Sequence, residues 1–289
     1  NTTGSNNSSF GFEAGMTNTT GGNLTFIGWK AGQSNTTGSN NTFVGLQNGQ
    51  STTTGTNNSA LGVSCFQMNT TGSNNIAIGY EAMQAQTTAS NNTAVGLQAL
   101  KTNTTGYSNT AIGSSALIVC TGSWNTAIGY NAANANTSGG HDVTIGNNAQ
   151  PSTTTVGNQF TLGDSNIHNL RCADTSISAL SDERDKTNIV DIPLGLSFIN
   201  SVRPVSFTWN RRDGIQRPSS NKDFGFIAQE LKTVADATDY ADHMRLVQDD
   251  NPDKLEADPM KMFPILVKAI QELSAKNEAL LTRIEALEG

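Results

Sequence analysis

The chain has 289 residues, 35% of them apolar and 14% charged, with a formal net charge of −7. That balance excludes a basic nucleic-acid-reading face, and no apolar run reaches the length of a membrane span. Cys65, Cys120 and Cys172 cannot all pair within the chain, and neither they nor His141, His168 and His243 have metal-ligand spacing, so no metal or cofactor is expected.

From the N-terminus a seventeen-residue unit repeats, marked by an aliphatic or aromatic residue followed by glycine. The marker glycines run Gly11, Gly28, Gly45, Gly62, Gly79, Gly96, Gly113, Gly129, Gly146 and Gly163, and every step is 17 residues except the 16 into Gly129. Repetition at this period predicts a solenoid, in which each coil buries its apolar side only against its neighbours. Residues 1–163 therefore form a β rod of short strands and turns, the turns supplied by Thr-Gly and Asn-Asn pairs. At a coil spacing of ~4.8 Å the rod is on the order of 50 Å long.

Counted from the marker glycine, position −1 is aliphatic or aromatic, +1 is often large (Trp29, Tyr80) and +3 is usually alanine. Period-two alternation puts these on one strand face, and Trp29 and Tyr80 read as core. Position −4 is Asn in most units, and stacked coils would superpose those amides in a hydrogen-bonded ladder. One apolar column makes a thin core. The −2 column (Phe26, Phe43, Ala60, Ala77, Ala94, Ala111, Ala127) is left to bury against other copies, giving a homotrimeric rod, with a monomeric solenoid as the alternative.

Residues 164–180 read as a connector. Only Glu13, Glu81 and Asp142 are acidic before residue 143, so the negative charge belongs to the second half. The chain begins at Asn1 without methionine, which reads as a piece excised from a longer polypeptide. After Ser181 the pattern changes to an α+β domain over 181–262, with strands in Val202–Trp209 and Phe224–Ala228 and a helix in Gln229–Ala237. Residues 263–289 close the chain as a coiled-coil helix. Phe263, Ile270, Asn277 and Ile284 alternate with Leu266, Leu273, Leu280 and Leu287 at steps of three and four, with Asn277 the lone polar a position. Val267, Ala269 and Leu281 widen the stripe, favouring more than two helices or packing onto the domain body.

The run Ser181-Asp182-Glu183-Arg184-Asp185-Lys186-Thr187-Asn188-Ile189, then Leu196–Asn200, Val202–Trp209 and Phe224–Glu230, resembles the intramolecular chaperone domain of phage tail spikes and fibres. This is the self-cleaving peptidase S74 family of phage endosialidases, found by similarity in the myelin regulatory factor. The rod is more loosely similar to trimeric adhesin heads. The resemblance implies Ser181 as nucleophile, Lys186 as its base and Leu180–Ser181 as the bond cut in cis. A serine needs such a base within reach, and Lys186 can fold back onto it if the segment turns. Asp185 stands where the family often has an apolar residue, and a carboxylate there would hold the lysine charged.

These readings converge on the distal part of a trimeric tail or surface fibre. It would attach to a cell-surface glycan or protein, on a phage virion or a bacterial surface, with no nucleic acid partner and no membrane insertion. The C-terminal domain would drive trimerisation. Leu266, Ile270, Leu273, Asn277, Leu280, Ile284 and Leu287 carry the contact between chains. The alternative is a polysaccharide depolymerase whose catalytic part lies upstream. Within the rod Glu13 and Glu81 stand four coils apart, roughly 19 Å, too far for the carboxylate pair of a glycosidase.

Overall fold

A computed structural model describes residues 1–167, 181–210 and 222–288. The chain divides into two units, Asn1–His168 and Asn169–Gly289.

The first unit is mainly β and built from one motif. Ten three-residue strands, β1 (Ser8–Phe10) to β10 (Phe160–Leu162), form a single parallel sheet in chain order. Each pairs with the next coil at the same repeat position: Phe26 with Phe43, Phe43 with Ala60, Ala111 with Ala127. The backbone of each coil bonds to the coils on both sides. Thr25 N–H donates to Asn41 O at 3.0 Å and Gly28 N–H to Phe10 O at 2.8 Å. The sixteen-residue step into Gly129 leaves the sheet register intact.

The predicted core face is corrected. The −2 column points inward rather than toward other copies: Phe26, Phe43, Ala60, Ala77, Ala94, Ala111 and Ala127 are all buried. Positions −1 and +1 point outward, with Trp29 41% and Tyr80 49% exposed. The reason lies at position +2, where the backbone is left-handed, as at Lys30 (φ +58°) and Glu81 (φ +54°): it turns the chain between +1 and +3, so the alternation that holds from −2 to +1 does not carry to +3. Position +3 is buried as expected, and Cys65 there is a fully buried stand-in for alanine.

Inside the coil, residues −2 and +4 share one space and trade volume. Where −2 is Phe26 or Phe43, +4 is Gly32 or Gly49. Where −2 is Ala60, Ala77, Ala94 or Ala111, +4 is Phe66, Met83, Leu100 or Leu117, all buried. Phe26 and Phe43 stack at 5.3 Å, and Phe66 follows at 6.2 Å from Phe43. In these six coils one large side chain fills the layer from one side or the other, as close packing requires; in the following coil both are small, Ala127 and Ala133, and both are buried.

Two Asn columns carry the polar scaffold. In the −4 column the amide bonds to backbone. Asn41 Oδ1 accepts from Asn58 N–H at 2.9 Å, and Asn58 Nδ2 donates to Gly72 O at 2.9 Å. These side chains are buried, and the bonds offset the cost of taking amides out of water. The amide-to-amide ladder runs one residue earlier. There Asn23, Asn40, Asn57 and Asn74 donate in turn to Asn40, Asn57, Asn74 and Asn91 at 2.9–3.2 Å. Residues of this column sit at φ near +60°, as Asn40 does, which asparagine tolerates better than most side chains.

The second unit is small and α+β. Helix α1 (Leu196–Ser201) is followed by the antiparallel pair β11 (Val205–Phe207) and β12 (Asp223–Gly225). Next come α2 (Ala228–Asp236), α3 (Ala241–Met244), the short pair β13 (Val247–Gln248) and β14 (Glu256–Ala257), and the long helix α4 (Phe263–Glu288). Phe198, Leu231, Ala235, Met244, Leu246, Met262 and Ile265 form its core. The start of α4 belongs to that core through Ile265 and Ala269, so the helix is not a separate coiled-coil domain along its whole length. Glu272 ties it down further: its Oε2 accepts the N–H of Leu196 at 2.9 Å, capping an α1 terminus that has no side-chain cap of its own. Beyond Glu272 every described residue of α4 is exposed, including Leu273, Asn277, Leu280, Ile284 and Leu287. These a/d residues are therefore open to solvent in the single chain.

Candidate functional site

The segment that opens the second unit turns at once. Asp182 accepts the N–H of Arg184 at 2.9 Å and also binds its guanidinium, starting a single 3-10 turn over Glu183–Asp185. Lys186 N–H closes the turn onto Glu183 O at 3.0 Å. The turn carries Lys186 back over Ser181, where its Nζ donates to Ser181 Oγ at 2.8 Å and to Ser181 O at 3.1 Å. The two candidate residues are thus in hydrogen-bond contact, the geometry a serine nucleophile and its base require. Both side chains are exposed in the single chain. Among the described residues no ion pair joins Asp185 to Lys186. Leu180, on the other side of the expected scissile bond, lies outside the described residues, as do Cys172 and His168.

Sequence reasoning did not find the contacts that knit the matching blocks together. Arg203 binds Glu230 through both guanidinium arms, with Nε at 2.9 Å from Oε2, joining the Val202–Trp209 block to the Phe224–Glu230 block. The pair holds the Glu230 carboxyl below its usual range and raises Arg203. Trp209 Nε1 donates to Asp223 Oδ2 at 2.7 Å across the same hairpin. Lys232 pairs with Asp249 at 2.9 Å and Asp236 at 3.4 Å. Of these only the i,i+4 spacing of Lys232 and Asp236 was open to inspection in the sequence.

The acids of the rod are taken up by structure. Glu13 accepts from Gln33 at 2.6 Å and faces Lys30 at 3.6 Å. Glu81 pairs with Lys101 at 2.7 Å and accepts from Gln98 at 2.9 Å, and the Lys101 bond holds its carboxyl below the usual range. Asp142 occupies the buried −4 column, where burial pushes its carboxyl up against the opposing bonds from Gln159 N–H and the Asn136 amide. Cys120 replaces an amide in a further buried polar column (Asn18, Asn35, Asn69, Asn103, Asn136), and burial lifts its thiol to about 11. No helix among the described residues is long and apolar enough to cross a membrane.

A parallel solenoid of seventeen-residue coils, followed by a small α+β unit with a Ser–Lys contact at its entrance and a free helical seam at its end, has the build of a fibre with an assembly domain. Residues 181–243 match the family model of peptidase S74, described as the chaperone of endosialidase. The match covers the Ser181–Lys186 turn, the β11–β12 hairpin, α2 and most of α3. No curated protein and no solved structure matches the chain.

Proposed function

We propose that this chain is a segment of a homotrimeric phage tail fibre or spike used for attachment, whose C-terminal domain is an intramolecular chaperone that sets the register of the rod. The observation that carries the reading is the outward apolar stripe at −1 and +1. It includes Ile27, Trp29, Leu61, Ile78, Tyr80, Ile112 and Ile128, repeats in every coil, and is joined in one chain to the chaperone family's domain. Contiguous exposed apolar surface of this extent marks a protein interface, and a repeating stripe fits the same stripe of an identical chain.

The need for a chaperone follows from the repeat. Coils of identical length can pair one step out of register at little cost. The exposed seam of α4 collects three chains at a fixed point, which raises the local concentration of the rods and fixes their alignment before they close.

Within this reading Ser181 and Lys186 are a self-cleaving pair. Lys186 Nζ takes the Ser181 hydroxyl proton while Oγ adds to the carbonyl carbon of residue 180. The C–N bond then breaks, the amine of Ser181 leaves with a proton, and water hydrolyses the resulting ester. A lysine amine serves as a base when burial strips water from it. Lys186 is exposed in the single chain, so neighbouring chains must cover it, and cleavage follows assembly.

Expression of the rod without residues 181–289 tests the proposal. The truncated rod is expected to stay monomeric or aggregate. A truncated rod that trimerises as readily as the full chain would remove the chaperone role.

A further inference from the structure

The asparagine ladder at position −5 breaks in three successive coils, and what replaces it is an aromatic cluster. After Asn91 the column continues as Ser108, Trp124 and His141 before returning to Asn158, and Tyr107 enters from the neighbouring position. Trp124 and His141 stack at 4.6 Å with planes 22° apart, and Tyr107 meets Trp124 at 4.6 Å and 75°. The cluster forms a corner of two near-perpendicular ring planes, with Tyr107 42% and Trp124 48% exposed.

The fold does not ask for these residues. Trp124 and His141 sit at φ +61° and +62°, where asparagine is tolerated and a bulky side chain is strained. They also forfeit the amide-to-amide bonds that the ladder makes from Asn23 to Asn91. The surroundings are hydroxyls and amides, Ser108 and Ser123 among them. Apart from His141 itself, Asp142 is the only Asp, Glu, Lys, Arg or His in residues 102–150, and it is buried. An aromatic corner beside serine hydroxyls, with no Lys, Arg, Asp or Glu at hand except the buried Asp142, matches the chemistry of a sugar ring, with its apolar C–H face and polar rim. A second copy of the chain is the less suitable occupant, because the outward apolar stripe proposed to join copies recurs from coil to coil, whereas this cluster occupies three.

We propose that Tyr107, Trp124 and His141 form a binding platform for a pyranose unit of a neutral glycan. The inference rests on the attachment half of the reading above. The full chain is tested against immobilised neutral oligosaccharides of glucose, galactose, mannose and N-acetylglucosamine, with its mass measured on the same sample. Saturable binding to at least one of them is expected. Trp124→Asn, which restores the ladder residue, should weaken it by about tenfold or more, the order of one lost aromatic contact, without lowering the melting temperature. Absence of binding across the panel, or equal binding by Trp124→Asn, overturns the platform. So does a lower melting temperature or a lost oligomer in that variant, which would make the cluster a packing element. Bacterial cells that bind wild type and Trp124→Asn alike would leave attachment standing and remove only this site. A chain that is monomeric before any substitution would strike the assembly reading instead.

Discussion

The ring of Phe26 stands where a side chain on Gly32 would have to go: a Cβ built on Gly32 meets three of its ring atoms at 2.7 Å. The left-handed backbone of Gly32 is not what demands glycine, since Met83 and Leu100 hold the same repeat position at φ +50°. The demand comes from Phe26, which already fills the layer.

A double-mutant cycle on these two residues has a definite expected sign. Phe26→Ala should cost about 3–5 kcal/mol by leaving a cavity, and Gly32→Leu about 1–3 kcal/mol or more by overpacking. Together they recreate the Ala94–Leu100 type of layer, so the double variant should recover most of the loss, a favourable coupling measurable by denaturant unfolding. Additive losses would contradict the shared-space account of the core.

Asp142 gives the rod a pH dependence of unusual sign. Its carboxyl is raised by burial, so the folded state keeps the proton at a pH where the unfolded chain has lost it. The group therefore favours the fold more as pH falls, and that contribution is lost as pH rises through the raised folded value. Asp142→Asn restores the residue usual at this position. The variant should be more stable than wild type at neutral pH, with the gap closing toward the ordinary carboxylate range. Melting temperatures across that range check it, and a gap that is constant or reversed at neutral pH counts against it.

For the Ser181–Lys186 pair, mass spectrometry on the purified full chain should find fragments ending at Leu180 and starting at Ser181. They should be absent in Ser181→Ala and strongly reduced in Lys186→Met. A single intact species after long incubation of the assembled protein would mean that the domain assembles without cutting.

The register of the rod is written in the marker glycines, and the resulting sheet follows from them coil by coil. The inward face was not legible, because alternation was carried from +1 to +3 across a position whose left-handed backbone turns the chain. The exchange of volume between −2 and +4 was present in the letters but has meaning only once both are known to face one space. In the second unit, β11, β12 and α2 fall where residue type and helical period place them. The two-residue strands β13 and β14 carry too little pattern to be seen. The reach of Lys186 back to Ser181 depended on a turn that Asp182 nucleates through its bond to Arg184 N–H, a local capping interaction of the kind that short Asp-x-x sequences often make. The outer half of α4 is helical and exposed on every side, while Ile265, Ala269 and Glu272 join its inner half to the domain in ways that spacing alone did not separate from a coiled coil.

The central claim is that the chaperone domain and the rod's outward stripe make one trimer. The most direct measurement is the solution mass of the Ser181→Ala chain, which cannot lose its C-terminal domain, by light scattering coupled to size exclusion. The account predicts a single species at three times the chain's 30.4 kDa. A stable species at the mass of one chain or two would contradict it.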